Sequence, residues 1–77
     1  MTKSEFLRAL EGQLEVPSGS LNEQQSLSDV DAWDSLAAVL FIALADEQLK
    51  ASVSGDQIAK SKTVGDLLAL VGDKLTA

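Results

Sequence analysis

The chain has 77 residues, twelve acids against six bases for a formal charge of −6, and neither Cys nor His. That length is one small domain with a modest core and marginal stability, too little to build a fold and also wall off a deep active site. Lacking thiols and imidazoles, it has no disulfide, no cysteine nucleophile, no histidine base and no zinc chemistry, and its negative charge speaks against nucleic acid and anionic membranes as partners.

The N-terminal stretch MTKSEFLRALEG is charged and amphipathic, unlike the apolar core of a signal peptide. The longest uncharged apolar run, Leu36 to Ala45, is half of what spans a bilayer. A cytoplasmic protein without membrane insertion is expected. Phe6, Leu7, Leu10 and Leu14 recur at i, i+1, i+4 and i+8 and predict a first helix over residues 3–15. Thr2 and Glu5 read as a capping box at its start. Residues 16–33, VPSGSLNEQQSLSDVDAW, form a long connection in which Pro17, Gly19 and the Ser, Asn and Asp content oppose regular structure. A connection that long needs anchors; Leu21, Leu27, Val30 and Trp33 are apolar pegs that can pin it over a helical core.

A second helix is predicted over residues 35–50 with Asp34 as N-cap. A third, short one covers residues 55–60, with Ser54 and Gln57 as its capping box and Ile58 and Ala59 facing inward. The fourth covers residues 64–75 behind a box at Thr63 and Asp66. Its inner face is Leu67, Leu68, Val71 and Leu75, and Lys74 complements its C-terminal dipole. Caps and apolar periodicity agree on an all-α fold: one domain over residues 1–77, a small four-helix bundle with a long first loop and a short third helix.

Ser35 takes the first helical position of the second helix, where unpaired N–H groups and the helix dipole tolerate an anion. A phosphate ester there suits the site; Asp34 beside it serves as the cap, and exposure screens the repulsion. Ser35 has no His to serve as base, and WDSLA lacks the glycines of a nucleophile elbow, so serine hydrolysis is not expected. A calcium loop starting at Asp29 fails as well, because its sixth position is Asp34 and its twelfth Leu40. On these residues alone Ser35 is either an ordinary first-turn serine or a modification site.

The segments SLSDVDAWDSLAAVLFIALADEQL and VSGDQIAKSKTVGDLLALV resemble the acyl carrier protein family along nearly the whole chain, with LEVPSGSL similar to that family's entry into its first loop. The resemblance implies a covalent 4′-phosphopantetheine arm on Ser35, in the DSL motif with Asp34, transferred from coenzyme A by a phosphopantetheinyl transferase with magnesium. Intermediates would ride as thioesters on the arm, so a non-catalytic chain without cysteine imports its sulfur. It further implies that acyl-loading and acyl-processing enzymes are partners of a monomeric carrier. The Met at residue 1 and the end just after the fourth helix suggest a freestanding carrier. The chain departs from the family in its second helix, usually rich in acids. The family pattern puts Phe41, Ile42, Ala45 and Leu49 in the core and leaves Leu36, Ala37, Val39, Leu40 and Ala43 nearer the outside. Leu36, Val39, Asp46 and Glu47 are the implied partner contacts, with recognition leaning on apolar contact. If an acyl chain folds back into the bundle, Leu27, Ile42, Ala45, Val53, Ile58 and Leu67 are the implied lining. Lys50 and Ser61 also depart from the family pattern. An aminoacyl or peptidyl carrier is the alternative within the wider family, although Asp34 before the serine favours acyl cargo, and an unmodified helical adaptor is the alternative outside it. Because like charges destabilise a small acidic domain, salt or magnesium is expected to raise the melting temperature; a flat response in a thermal melt would refute this.

Overall fold

Four helices start at the four positions where a side chain accepts from an otherwise unpaired first-turn N–H. They are α1 (Lys3–Leu14) after Thr2, α2 (Ser35–Leu49) after Asp34, α3 (Gly55–Ala59) after Ser54 and α4 (Val64–Leu70) after Thr63. The computed structural model describes residues 1–76, which hold no strand beyond an isolated bridge between Ser26 and Thr63. The Thr2, Ser54 and Thr63 hydroxyls accept from the N–H groups of Glu5, Gln57 and Asp66 at 3.1, 3.2 and 3.1 Å. The Glu5, Gln57 and Asp66 side chains reach back in return, completing three boxes. The backbone N–H of Thr2 holds the Glu5 carboxyl below its usual range, and those of Lys62 and Thr63 do the same for Asp66. Lowered folded values mean that this stabilisation is present above the unfolded carboxyl pKa and fades as pH falls through the folded one.

Helix ends differ from the sequence expectation where the backbone turns early. Glu15 and Lys50 adopt left-handed conformations, with φ of 58° and 52°, so α1 and α2 each close one residue short of the predicted end. The fourth helix was expected to reach residue 75 but stops at Leu70. Val71 leaves helical geometry at φ −115° and ψ 12°, Gly72–Lys74 tightens into a 3₁₀ turn, and Leu75 is extended. Gly72 is a poor helix former, and the turn brings the Thr76 N–H to the Met1 carbonyl at 2.9 Å, joining the two ends of the described chain. Lys74 thus sits in that turn rather than in the last turn of α4. Ala59, expected to face inward, is exposed, because the five residues of α3 bury one side only, through Ile58.

The core forms where α1, α2 and α4 converge. Phe6 and Leu10 of α1 and Leu67 and Leu68 of α4 are buried together with Phe41, Leu44 and Ala45 of α2. The Phe6 and Phe41 rings meet edge to face, centroids 5.8 Å apart at 88°, an arrangement contributing about 0.5–1.5 kcal/mol beyond area burial. The inner row of α2 is Ala37, Phe41, Leu44 and Ala45, spaced i, i+4, i+7 and i+8. This corrects two expectations: Ala37 is buried rather than outward, and Ile42 and Leu49 are only partly buried while Leu44 takes a core place.

The long connection is held at both ends. Leu21, Leu27 and Val30 are buried as expected, and Trp33 is half-buried with its ring edge-on to Phe41, 6.4 Å away at 76°. Its backbone is stitched to the start of α4: Leu27 N–H to Lys62 O at 2.9 Å, Val64 N–H to Gln25 O at 3.0 Å and Gly65 N–H to Glu23 O at 2.9 Å. A Cβ on Gly65 would lie 2.9 Å from the same Glu23 oxygen, so the close approach requires glycine. The other end is fixed by a charge that periodicity did not single out. Glu11 is 1 % exposed; its carboxylate forms an ion pair with Arg8 Nε at 2.6 Å and accepts from Leu21 N–H at 2.8 Å and from Gly19 N–H at 3.0 Å to each oxygen. Gly19 reaches this position at φ +88°, and the Arg8 guanidinium also donates to Leu21 O at 3.3 Å. Replacing Glu11 by Ala strands the buried Leu21 N–H and should cost about 2–3 kcal/mol. Glu11→Gln, which keeps an acceptor, should cost less. Urea unfolding checks this, and a Glu11→Ala loss no larger than that of exposed Glu15→Ala would contradict it.

Candidate functional site

Asp34 adopts extended backbone, φ −145° and ψ −169°, and its Oδ1 accepts from Ala37 N–H at 2.8 Å. The first helical hydrogen bond of α2 runs from Ala38 N–H to Asp34 O at 3.0 Å, so the N–H groups of Ser35 and Leu36 have no partner within the helix. Ser35 is therefore an exposed hydroxyl at the electropositive end of α2, on a start site fixed by its neighbour's carboxylate. The turn before it is closed by Trp33 N–H to Val30 O at 3.0 Å. Its neighbours along the chain are acidic: Asp29, Asp31 and Asp34 are exposed, and no Lys or Arg occurs from residue 9 to residue 49.

Beside Ser35 lies an open cleft of about 440 Å³ between the 3₁₀ turn Leu27–Asp29, the start of α2 and α3. Leu27, Trp33, Ala38 and Ile58 supply its apolar wall, and Ser28 and Ser61 add hydroxyls. Of the six residues named for an acyl lining, Leu27 and Ile58 are thus next to Ser35. Ile42 and Val53 line a second cleft of about 430 Å³ between α2 and the segment entering α3. Ala45 and Leu67, 0 % and 1 % exposed, are packed core and line neither. A larger cleft of about 530 Å³ between Lys3, Glu23 and α4 contains none of the six. Trp33, Ser28, Ala38 and Ser61 are neighbours of Ser35 that the sequence did not place there. Three lie outside the α-helices, where α-helical periodicity assigns no direction. The two departures noted in the sequence have structural tasks: Lys50 is the left-handed cap of α2, and Ser61 Oγ donates to Gln57 O at 3.1 Å.

Leu36 and Val39 are 66 % and 59 % exposed, and Asp46 and Glu47 are also exposed. The chemistry available at Ser35 is that of an accessible hydroxyl. Asp34, the adjacent acid, is engaged at Ala37. The position can accept a bulky anionic ester brought by another protein, because it faces solvent and the N–H groups beside it are free.

Residues 4–71 match the family described as the phosphopantetheine attachment site. The fold is similar to the solution NMR structure of a holo acyl carrier protein from Geobacter metallireducens, with a TM-score of 0.75 and 31 % identity, covering 96 % of this chain and 86 % of that one. No curated protein matches the chain in sequence. Removing the cap by Asp34→Ala should cost about 0.5–2 kcal/mol and speed amide exchange at Ala37 and Ala38, whereas Asp34→Asn should be nearly neutral. Hydrogen exchange and thermal melting check this; unchanged protection at Ala37 would show that the cap does not fix the start of α2.

Proposed function

The chain belongs to the acyl carrier proteins, within the family of phosphopantetheine attachment domains, and from that premise we propose that Ser35 bears the 4′-phosphopantetheine and that the protein shuttles acyl intermediates. The observation that carries this reading is the exposed Ser35 hydroxyl at the fixed, electropositive start of α2, inside the matched residues. The residues present fit the group. The hydroxyl is accessible, a phosphodiester there faces free N–H groups, and the adjoining cleft offers an apolar wall with hydroxyls at its rim.

In the loading step Ser35 Oγ forms a bond to the phosphorus of coenzyme A that bears the pantetheine. Its proton passes to a base of the transferase, and the bond to the departing 3′,5′-bisphosphoadenosine breaks. Asp34 keeps the start of α2 in place by holding Ala37 N–H. When attached, the group supplies a thiol on which cargo is held as a thioester. Tethering then replaces bimolecular encounters by local ones at millimolar effective concentration, to order of magnitude.

The same reading assigns Leu36, Val39, Asp46 and Glu47 to contacts with the transferase and with acyl-loading and acyl-processing enzymes; the two acids steer the approach of basic partners. Leu27 and Ile58 are the lining residues nearest an attached chain. Acyl cargo, as in fatty acid, polyketide or related biosynthesis, is favoured over aminoacyl cargo by the DSL motif and by the likeness to a holo acyl carrier protein. Among the described residues no helix is long and apolar enough to cross a membrane.

Incubation of the apo chain with coenzyme A, magnesium and a phosphopantetheinyl transferase should add one phosphopantetheine mass, mapped to the peptide containing Ser35. Ser35→Ala should show none. Modification of the Ala variant, or a wild-type chain that no competent transferase modifies, would overturn the assignment.

A further inference from the structure

A group attached at Ser35 has two routes, along the outside of α2 or in between the helices, and the residues on each limit how long it can be. Ser35, Ala38 and Ile42 recur at i, i+3 and i+7 on one side of α2. Ala38 stands in the cleft of about 440 Å³ beside Ser35, and Ile42 in the cleft of about 430 Å³ beyond it, both open to solvent. From Ser35 to Ile42 is about 10 Å along the helix axis. Past Ile42 the apolar wall gives way: Asp46, Ser52, Ser54 and Gln57 line the second cleft, and all four are exposed. A long aliphatic chain laid on this side leaves its far end among a carboxylate, hydroxyls and water, where apolar surface gains nothing.

The inward route meets aromatic rings. Trp33, half-buried in the wall of the Ser35 cleft, stands edge to face with Phe41 at 6.4 Å. Phe41 meets Phe6 in the same way at 5.8 Å, and both phenylalanines are fully buried. The three rings make a row from the cleft to the middle of the bundle. At the second cleft the route ends on Ala45, also fully buried; the Ala51 N–H donates to Ala45 O at 3.1 Å and ties the floor of that cleft to α2. Leu27, the wall opposite Trp33, is tied by its own N–H to Lys62 O. An interior packed this closely takes extra methylenes only by displacing what is there, and displacing Phe41 breaks both edge-to-face contacts.

We propose that this carrier holds a short acyl group, kept outside the bundle, and that the row Trp33, Phe41 and Phe6 bars a long aliphatic chain from the interior. The inference rests on the carrier reading and names the class of its cargo. The residues that the family resemblance implies as an acyl lining are divided between two surface clefts and the packed core, and the rings stand between them. A cargo kept outside leaves its thioester open to solvent and to nucleophiles.

The test loads the full apo chain from acetyl-, butyryl-, octanoyl- and dodecanoyl-coenzyme A with one broad-specificity phosphopantetheinyl transferase and magnesium. The acylated arm passes whole to Ser35 Oγ, 3′,5′-bisphosphoadenosine leaves, and the thioester is untouched; mass confirms each product. A chain buried only in the folded state stabilises it as a bound ligand does, so thermal melts and thioester cleavage by hydroxylamine both report burial. The four forms should melt within about 4 °C of one another. Cleavage rates, each relative to the same acyl-coenzyme A, should agree within about threefold. A larger rise in melting temperature from acetyl to octanoyl, with slower cleavage, overturns the proposal. Phe41→Ala opens the interior, so its octanoyl form should melt above its acetyl form by more than that margin. Should Phe41→Ala not fold, Trp33→Ala at the half-buried end of the row takes its place. A folded variant as indifferent to chain length as the wild type overturns the assignment of the barrier to the rings. All these outcomes leave the carrier reading intact; that reading falls only if the wild-type chain is never loaded at Ser35.

Discussion

A buried carboxylate holds the architecture in register. Glu11 has almost no contact with solvent, yet it is paired with one guanidinium and accepts from two backbone N–H groups, which compensates for much of the cost of taking a charge out of water. Through Gly19 and Leu21 it fixes where the long connection leaves α1. The backbone bonds to the start of α4 fix where that connection passes next. With both constraints in place, Leu27, Val30 and Trp33 fall onto the bundle, and the chain arrives at Asp34 in the extended geometry that a helix cap requires. An irregular segment thus delivers Ser35 to one place. Carbon–carbon packing alone would leave such a loop free to slide; directional bonds to a single charged group do not.

The second helix meets two demands at once. Phe41 must reach Phe6 and Trp33 to close the core, so the row through Ala37 and Leu44 faces inward. On the proposed reading, the start of the same helix must stay accessible for Ser35 to be modified. A small bundle cannot bury both sides of one helix, and Leu36 and Val39 remain in water as a result. Exposed leucine and valine cost solubility, which the net charge of −6 offsets.

Much of this was legible in the residues. The hydroxyl-and-acid pairs at Thr2 and Glu5, Ser54 and Gln57, and Thr63 and Asp66 announce helix starts because the chemistry is local, and all three boxes form. Ser35 and its cap were legible for the same reason. Helix ends were less so: the left-handed residues are Glu15 and Lys50, where no glycine marks the stop. The inner side of α2 was hard to read because ten consecutive apolar residues carry no polar contrast, so Ala37 was placed on the wrong side. Glu11 gave no signal, since an acid in an amphipathic helix reads as solvated until the loop that covers it is known. The cleft beside Ser35 joins three segments distant in sequence, and no local pattern encodes that meeting.

Trp33 gives the molecule an optical property of its own. It is the one indole in a chain without tyrosine, it stands edge-on to Phe41, and it forms part of the wall next to Ser35. Ultraviolet excitation at the red edge therefore addresses a single chromophore that shares a cleft with Ser35. Emission wavelength and quenching by iodide or acrylamide then report, without any label, whether that wall is wet or covered.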